Sequence, residues 1–205
     1  REVRGPGVLV PREIRWIAAE SNARVERIVV RAGAQVEADT VILELSNPEV
    51  VDQQLSAESA LTAAEADFVA RRVGLESQLL DQRAALAGIR ADYEGARLTA
   101  EAETELAGRG IISRIQARRS ELAAEQLKLR TEIEVERIAK FEQTIRAQLD
   151  AERARINQLK NVAELRRRQA EGLQVRAGIA GVLQQVPVQE GQQVVAGTNL
   201  ARVAK

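Results

Sequence analysis

The stretch ARVERIVVRAGAQVEADTVILEL, residues 23–45, decides the fold because the pattern recurs as GVLQQVPVQEGQQVVAGTNLARV, residues 181–203. The two stretches align without a gap at a constant offset of 158 residues. Identical residues recur at Val30/Val188, Gly33/Gly191, Gln35/Gln193, Val36/Val194, Ala38/Ala196 and Thr40/Thr198. Each stretch has short apolar runs separated by a glycine, which is typical of strands joined by turns. Since an isolated hairpin is marginally stable in water, we predict that the two stretches are halves of one small β-domain.

The segment between the halves has the pattern of two long helices. No proline occurs between Pro48 and Pro187, and proline breaks helix interiors. Asn47-Pro48 is typical of a helix start, with asparagine as the N-cap and proline at the first helical position. The pattern continues to Ala107, which gives a first helix of roughly 60 residues, or about 90 Å. Because average helices have only about 11 or 12 residues, this one needs a partner along its length.

Apolar residues at alternating three- and four-residue steps predict that the partner is a second helix in a coiled coil. The first seam is Leu61, Phe68, Leu75, Leu79, Leu86, Ile89, Tyr93, Ala96 and Ala100. The second is Leu122, Leu129, Ile133, Ile138, Ile145, Leu149, Ile156, Leu159 and Ala163, with a slip between Ile133 and Ile138. Between them lies AGRGII, residues 107–112, whose glycines can end a helix and turn the chain. So short a loop predicts an antiparallel hairpin.

Composition excludes several classes of function. The chain has no cysteine and no histidine, which removes thiolate and imidazole metal sites, disulfides and catalysis by either residue. Nothing marks an all-carboxylate site. The formal net charge is 0, so no basic field attracts nucleic acid through its phosphates. We therefore expect no enzyme activity, no catalytic or metal-binding residues, no cofactor and no nucleic-acid partner.

The sequence shows neither a membrane-spanning pattern nor a signal-peptide pattern. No run of 18 or more apolar residues exists, and such a run would be needed for a membrane-spanning helix. The first residues, REVRGPG, have no signal-peptide pattern. We expect this chain to be part of a longer protein, with its targeting or membrane segment outside the sequence.

These observations predict an α+β fold in which a long antiparallel coiled-coil hairpin is inserted into a split β-sandwich domain. Residues 1–15 are predicted to be an entry strand and linker, which could be part of an adjacent β-barrel domain. Residues 16–46 and 173–205 are the two halves of the β-domain. Residues 47–172 are the hairpin, with its tip at about 107–113.

In this order of parts the chain resembles the periplasmic adaptor proteins, also called membrane fusion proteins or HlyD-like proteins, of tripartite efflux pumps and type I secretion systems. In that family an α-helical hairpin splits a biotinyl/lipoyl-like domain. The half-motif G-x-V-x-x-V-x-V-x-x-G with a later G-x-x-L is matched by Gly181, Leu183, Val186, Val188, Gly191, Gly197 and Leu200. The first half departs from it at Ala23 and Asp39, where glycine is usual. The resemblance covers nearly the whole chain.

The resemblance implies a periplasmic subunit, anchored to the inner membrane in the full-length protein, that oligomerises as a hexamer. Its implied partners are an inner-membrane transporter of the ABC, RND or major-facilitator type and a TolC-like outer-membrane channel. One alternative is a coiled-coil scaffold or tether protein, which leaves the repeated half-motif unexplained. A second is a biotinyl or lipoyl carrier domain of a transferase. Carriers hold their cofactor on a lysine at the turn between the halves, but that turn is Leu45-Ser46-Asn47-Pro48 here and the first lysine is Lys128.

The resemblance also implies a contact site at the hairpin tip. Adaptors that meet an outer-membrane duct often carry Arg-x3-Leu-x6-Ser there. Leu106 and Ser113 have this separation, whereas Ala102 stands at the arginine position. Alternatively, Ser113 and Gln116 form a capping box and Leu106 packs the end of the coiled coil. Arg109 is a third candidate, although an exposed arginine in a turn is usually only solvated.

A stripe of small residues along the first helix has two interpretations. Gly74, Gly88 and Gly95 share one heptad position with Ala102, and each glycine costs about 1 kcal/mol relative to alanine. The stripe could let a neighbouring helix approach closely, as in hairpins aligned into a tube. Alternatively, these are exposed positions at which a long coiled coil tolerates small residues.

Overall fold

A computed structural model describes residues 13–205, so most of the predicted leading segment 1–15 lies outside the described residues. The predicted α+β fold, with a helical hairpin inserted into a split β-domain, is confirmed. The first half contributes β1 (Ile14–Ala18), β2 (Ala23–Ile28), β3 (Gln35–Val36) and β4 (Val41–Ser46). The helices α1 (Pro48–Gly108) and α2 (Arg114–Glu171) follow. The second half contributes β5 (Gln174–Arg176), β6 (Gly181–Gln185), β7 (Gln193–Val194) and β8 (Asn199–Ala204).

The strands form two antiparallel four-stranded sheets in the orders β1-β8-β6-β3 and β5-β4-β2-β7. Every sheet therefore contains strands from both halves of the sequence. Side chains from both sheets share one apolar core, whose most deeply buried large members are Ile42, Leu43, Leu183, Leu200, Val25 and Val203. Because neither half can bury this surface alone, the two halves must fold together around it.

The β-domain repeats the sequence offset of 158 residues in its backbone. β7 and β8 lie 158 residues after β3 and β4, and the two short strands are exchanged, since β3 pairs with β6 and β7 pairs with β2. Hydrogen bonds follow the same symmetry. The Gly33 amide donates to the Leu183 carbonyl at 2.7 Å, and the Gly191 amide donates to the Val25 carbonyl at 2.8 Å. Gly33 and Gly191 have φ values of 95° and 85°, in the region that favours glycine.

The two departures from the half-motif have structural counterparts. Gly197 has a φ of 87°, whereas Asp39, at the equivalent position of the first half, does not have a positive φ. A Cβ atom on Gly181 would lie 2.2 Å from the Ala204 carbonyl oxygen, while Ala23 is accommodated at the equivalent place in β2 and is buried. The backbone of the first half therefore tolerates side chains at both positions.

The close approach at Gly181 leads to a stability prediction. Replacing Gly181 with alanine should lower the free energy of unfolding by about 1–3 kcal/mol, because β6 must move away from β8 to admit a methyl group. Chemical denaturation of the whole chain, followed by circular dichroism, measures this change. Gly88→Ala is the matched control, since nothing lies within 4 Å of a Cβ there and alanine in a helix should instead add up to about 1 kcal/mol. Equal stability of Gly181→Ala and the parent protein would contradict the prediction.

The chain has two compact units, each of which contains part of both helices. One unit holds the β-domain with the helical residues up to Thr62 and from Gln158 onward, and the other is the helical pair Ala63–Asn157. Among residues 13–205, neither helix has the length of apolar sequence required to cross a membrane.

The predicted seam of α1 is confirmed by burial. Leu86 and Ala100 are buried, and Phe68, Leu75, Leu79, Ile89, Tyr93 and Ala96 are half-buried on a helix that is otherwise mostly exposed. These residues recur at the coiled-coil spacing and face α2. Arg83, on the edge of this seam, donates to Glu142 of α2 at 2.6 Å.

The predicted seam of α2 is wrong in the part nearest the tip. Leu122, Leu129 and Ile133 are 44%, 58% and 56% exposed. The buried residues there are instead Ala117 and Ala124. They share one heptad position with Ile138 and Ile145, which were predicted and are buried, so there is no slip.

The physical reason for this difference is that small and polar groups join the helices near the tip. Glu103 of α1 accepts hydrogen bonds from the Gln116 side chain, at 3.1 Å, and from Ser120. Thr104 donates to Glu121 at 3.1 Å. These polar pairs fix the rotation of α2 so that alanines face α1, which leaves the larger leucines outside.

Candidate functional site

The tip is the loop from Arg109 to Ser113, and its first part is a glycine-terminated helix end. The Ile111 amide donates to the Leu106 carbonyl and the Gly110 amide donates to the Ala107 carbonyl, both at 3.0 Å. Gly110 has a φ of 75°. This pair of bonds around a left-handed glycine is the Schellman motif. Gly110, rather than Gly108, is therefore the residue that ends α1 and turns the chain.

The second part of the tip is the N-terminus of α2, where Ser113 is the N-cap. Its Oγ accepts a hydrogen bond from the Gln116 amide at 3.2 Å. In a complete capping box the Gln116 side chain would return to the Ser113 amide, but here it binds Glu103 of α1. Only the Ser113 half of the predicted Ser113–Gln116 capping box is therefore formed. Capping uses the Ser113 oxygen as an acceptor, while the residue itself stays exposed.

The three predicted tip residues are brought together at one end of the helical pair. Ser113 and Arg109 are exposed, and Leu106 is half-buried. Arg109 forms an ion pair with Glu105, one turn earlier on α1. The sequence interpretation missed Ile111 and Ile115, which are 64% and 69% exposed at the same end. The sequence pattern that could have identified them is the presence of isoleucine within and just after a turn, where polar residues are usual.

Ionised groups hold α1 and α2 together behind the tip. The hydrogen bond from Arg118, and then that from Thr104, holds the pKa of the Glu121 carboxyl below its ordinary value. Because the folded pKa is depressed, the carboxylate contributes stability at neutral pH, and this contribution is lost as the pH falls through the folded pKa. The tip thus presents apolar, hydroxyl and guanidinium groups at one end of the helical pair. These groups can make apolar contacts, hydrogen bonds and ion pairs.

The predicted small-residue stripe lies on the outside of α1. Gly74, Gly88, Gly95 and Ala102 are all exposed. No atom lies within 4 Å of a Cβ placed on any of the three glycines. Packing within the chain therefore does not require glycine there, and both interpretations of the stripe stay predictions.

The base of the hairpin is tied to both halves of the β-domain. Asn47 Oδ1 caps α1 by accepting from the Glu49 and Val50 amides at 3.0 and 3.3 Å, and its Nδ2 donates to the Asn22 carbonyl at 2.7 Å. Asn22 Oδ1 in turn accepts from the Ala196 amide at 3.1 Å. The turn at which carrier domains hold a cofactor lysine is therefore occupied by a capped helix. These residues do not fit a lysine-linked cofactor.

The model of the CusB barrel-sandwich hybrid domain family matches residues 14–204. The chain belongs to this family. The match covers both halves of the β-domain and the inserted helices, so the barrel-sandwich hybrid arrangement accounts for the whole described fold. The predicted membership in the membrane fusion, or periplasmic adaptor, proteins of efflux and secretion systems is confirmed.

Solved structures share the barrel-sandwich hybrid and hairpin arrangement. A structure of the periplasmic adaptor protein EmrA is 14% identical with a TM-score of 0.52, and the match covers 96% of this chain and 73% of EmrA. MacA from Actinobacillus actinomycetemcomitans is 16% identical with a TM-score of 0.51. That match covers 93% of this chain and spans half, 50%, of MacA. At such identities these structures show the fold alone. Among curated proteins, no sequence matches this chain significantly.

Proposed function

We propose that this chain is the periplasmic adaptor subunit of an efflux or secretion system. It joins an inner-membrane transporter to a TolC-like outer-membrane channel, and the transporter is of the ABC, RND or major-facilitator type. Copies of the chain assemble, as a hexamer, into a conduit in which the β-domains form the base and the hairpins lead to the channel. The full-length protein is held at the inner membrane. The role is mechanical, with no catalytic step.

The observation that carries this proposal is the insertion of two helices of 61 and 58 residues at the turn of a carrier-like β-domain. A helix of that length extends about 90 Å at 1.5 Å per residue. The β-domain binds both helix ends through Asn47 and Leu173, whose carbonyl accepts from the Leu45 amide at 2.8 Å. Helices of this length, attached to the β-domain at their base, suit spanning a gap.

The hairpin tip is the proposed contact with the outer-membrane channel. Leu106 and Ser113 have the spacing of the adaptor tip motif, and Arg109, Ile111 and Ile115 extend the exposed surface around them. Hot spots of protein interfaces combine an apolar anchor with arginine and a rim of polar groups. The tip offers this combination on a support that does not need to order on binding, which lowers the entropic cost of association.

Substitutions at Ser113 separate a contact role from a capping role. Asparagine caps helices as well as serine does, whereas alanine costs about 1 kcal/mol. If Ser113 contacts the channel, Ser113→Asn should keep the stability of the hairpin but lower export by about fivefold, the effect of losing a contact worth about 1 kcal/mol.

Export is measured in cells whose own copy of the gene is deleted, and hairpin stability is measured by thermal unfolding of the purified variants. Ser113→Ala serves as the control for loss of the cap alone. Full export by Ser113→Asn, together with a defect in Ser113→Ala that follows its stability, would show that Ser113 is only a cap.

A further inference from the structure

The outer face of α2 near the tip carries an apolar stripe that α1 does not cover. Ile115, Leu122 and Leu129 lie seven residues apart, and Ile133 follows one turn later. All four side chains are exposed, because the buried line of this helix runs through Ala117 and Ala124 instead. Rows of large exposed apolar side chains, rimmed by charges, mark interaction surfaces. We call these four residues the α2 stripe.

A matching apolar group lies on the outer face of α1 at the same height. The pairs Arg83–Glu142 and Thr104–Glu121 fix the register, so the numbers of residues at equal height add to about 225. Leu98 is therefore level with about residue 127, between Leu122 and Leu129. It is exposed and lies midway between the seam residues Ala96 and Ala100, so it points away from α2. Small residues, Gly95 and Ala102, lie one turn to either side of Leu98.

The two helices carry opposite net charge near the tip, and the exposed residues include Glu101 and Glu105 on α1 and Arg118 and Arg119 on α2. Residues 91–107 of α1 contain five carboxylates and one arginine, whereas residues 114–130 of α2 contain five basic residues and two carboxylates. Arg97 is shared by Glu94 and Glu101 within α1. By the same register, Glu105 is within about one residue of the height of Arg119, so opposite charges lie level on the two sides. Two α2 faces would therefore repel each other, as would two α1 faces, and an α1 face attracts an α2 face.

We infer that the α2 stripe of one copy binds the Leu98 face of α1 in the next copy, with the hairpins side by side, in the same orientation and at the same height. This inference rests on the proposed function and specifies which surfaces join the copies. Each copy binds one neighbour through its α1 face and the other neighbour through its α2 face. The contact is therefore heterologous and repeats from copy to copy until a ring closes. Leu98 enters the space between Leu122 and Leu129, and Glu105 pairs with Arg119.

Charge reversal tests the direction of this contact in the intact protein. Variant A carries Glu101→Arg and Glu105→Arg, and variant B carries Arg118→Glu and Arg119→Glu. Each variant alone places like charges at every contact and should lose assembly by about tenfold or more, as measured by sedimentation. An equal mixture of A and B, and a chain that carries all four changes, should assemble again. Assembly of A alone at the wild-type level, or failure of the mixture to recover, would overturn the inference.

Single cysteines test the register, since the chain has no cysteine of its own. Glu105→Cys and Arg119→Cys, expressed together, should form a disulfide-linked heterodimer, whereas neither should form a dimer alone. Because each chain carries a single cysteine, the bond can form only between two copies, and it requires their Cα atoms to lie within about 7 Å of each other. A dimer from Arg119→Cys alone, or no heterodimer, would contradict the contact.

Capture of the outer-membrane channel from the tip separates this inference from the proposed function. Channel capture without the heterodimer overturns the inference alone. The heterodimer without channel capture supports the contact between copies and counts against the bridging role.

Discussion

Replacing Leu106 with glutamate should reduce export by about tenfold or more while the β-domain stays folded. Leu106 is half-buried at the tip, where its carbonyl accepts the Ile111 amide of the helix end. If it is the apolar anchor of the channel contact, a charge there must be desolvated on binding. Changes at such anchors cost about 2–4 kcal/mol, and each 1.4 kcal/mol is a factor of ten in affinity.

Export in cells lacking the native gene measures this effect, with protein abundance measured in the same cells. Val69→Glu is the control, because Val69 lies on α1 away from the tip, is 49% exposed and neighbours the seam residue Phe68 rather than lying on the outer face. That substitution should leave export near the wild-type level. Normal export by Leu106→Glu would show that Leu106 only packs the end of the helical pair.

Replacing Leu183 with alanine should destabilise the β-domain by about 3–4 kcal/mol, a large share of the 5–15 kcal/mol available to a typical domain. Leu183 is fully buried on β6, and its neighbours come from both halves of the sequence. The cavity would therefore weaken the core of the β-domain, to which the base of both helices is attached. Export should fall together with stability.

Denaturant unfolding of the purified protein measures this loss, and the control is Leu80→Ala. That change removes the same atoms from a largely exposed position and should alter the free energy of unfolding by less than about 0.5 kcal/mol. A loss below about 1 kcal/mol in Leu183→Ala would contradict the shared core of the two halves.

The offset of 158 residues was enough to predict the β-domain, because strands and turns depend on local patterns that occurred twice. The equivalent pairs β3/β7 and β4/β8 follow that offset residue by residue. The exchange of β3 and β7 between the halves could not be predicted, since it depends on pairing between distant strands. β5, with only Gln174–Arg176, is too short to show the alternation on which a strand prediction depends.

The coiled coil could be predicted only where large apolar residues lie in its seam. On α1 they do, and the predicted positions are confirmed. Near the tip of α2 the sequence favoured Leu122 and Leu129, whereas Ala117 and Ala124 are buried. Periodicity identifies apolar residues, but it does not show which of two apolar faces meets the partner helix. The polar bonds of Glu103 and Thr104 decide between the faces.

The sequence predicted a glycine-containing turn at the tip, and the positive φ of Gly110 identifies that residue as the one that ends α1. The contact roles of Leu106, Arg109 and Ser113 stay predictions, because a surface that binds a partner needs no special geometry in the free chain. For the same reason the sequence gives no signal that separates a capping serine from a contacting one.

The central claim is that the hairpin tip contacts an outer-membrane channel, and site-specific crosslinking in living cells tests it most directly. A photoreactive amino acid is placed at position 109 or 113, and at the control position 80, in the full-length protein. The captured proteins are then identified by mass spectrometry. The proposal predicts that the two tip positions capture an outer-membrane channel protein and that position 80 does not. Failure of both tip positions to capture such a protein, in cells where export is intact, would contradict it.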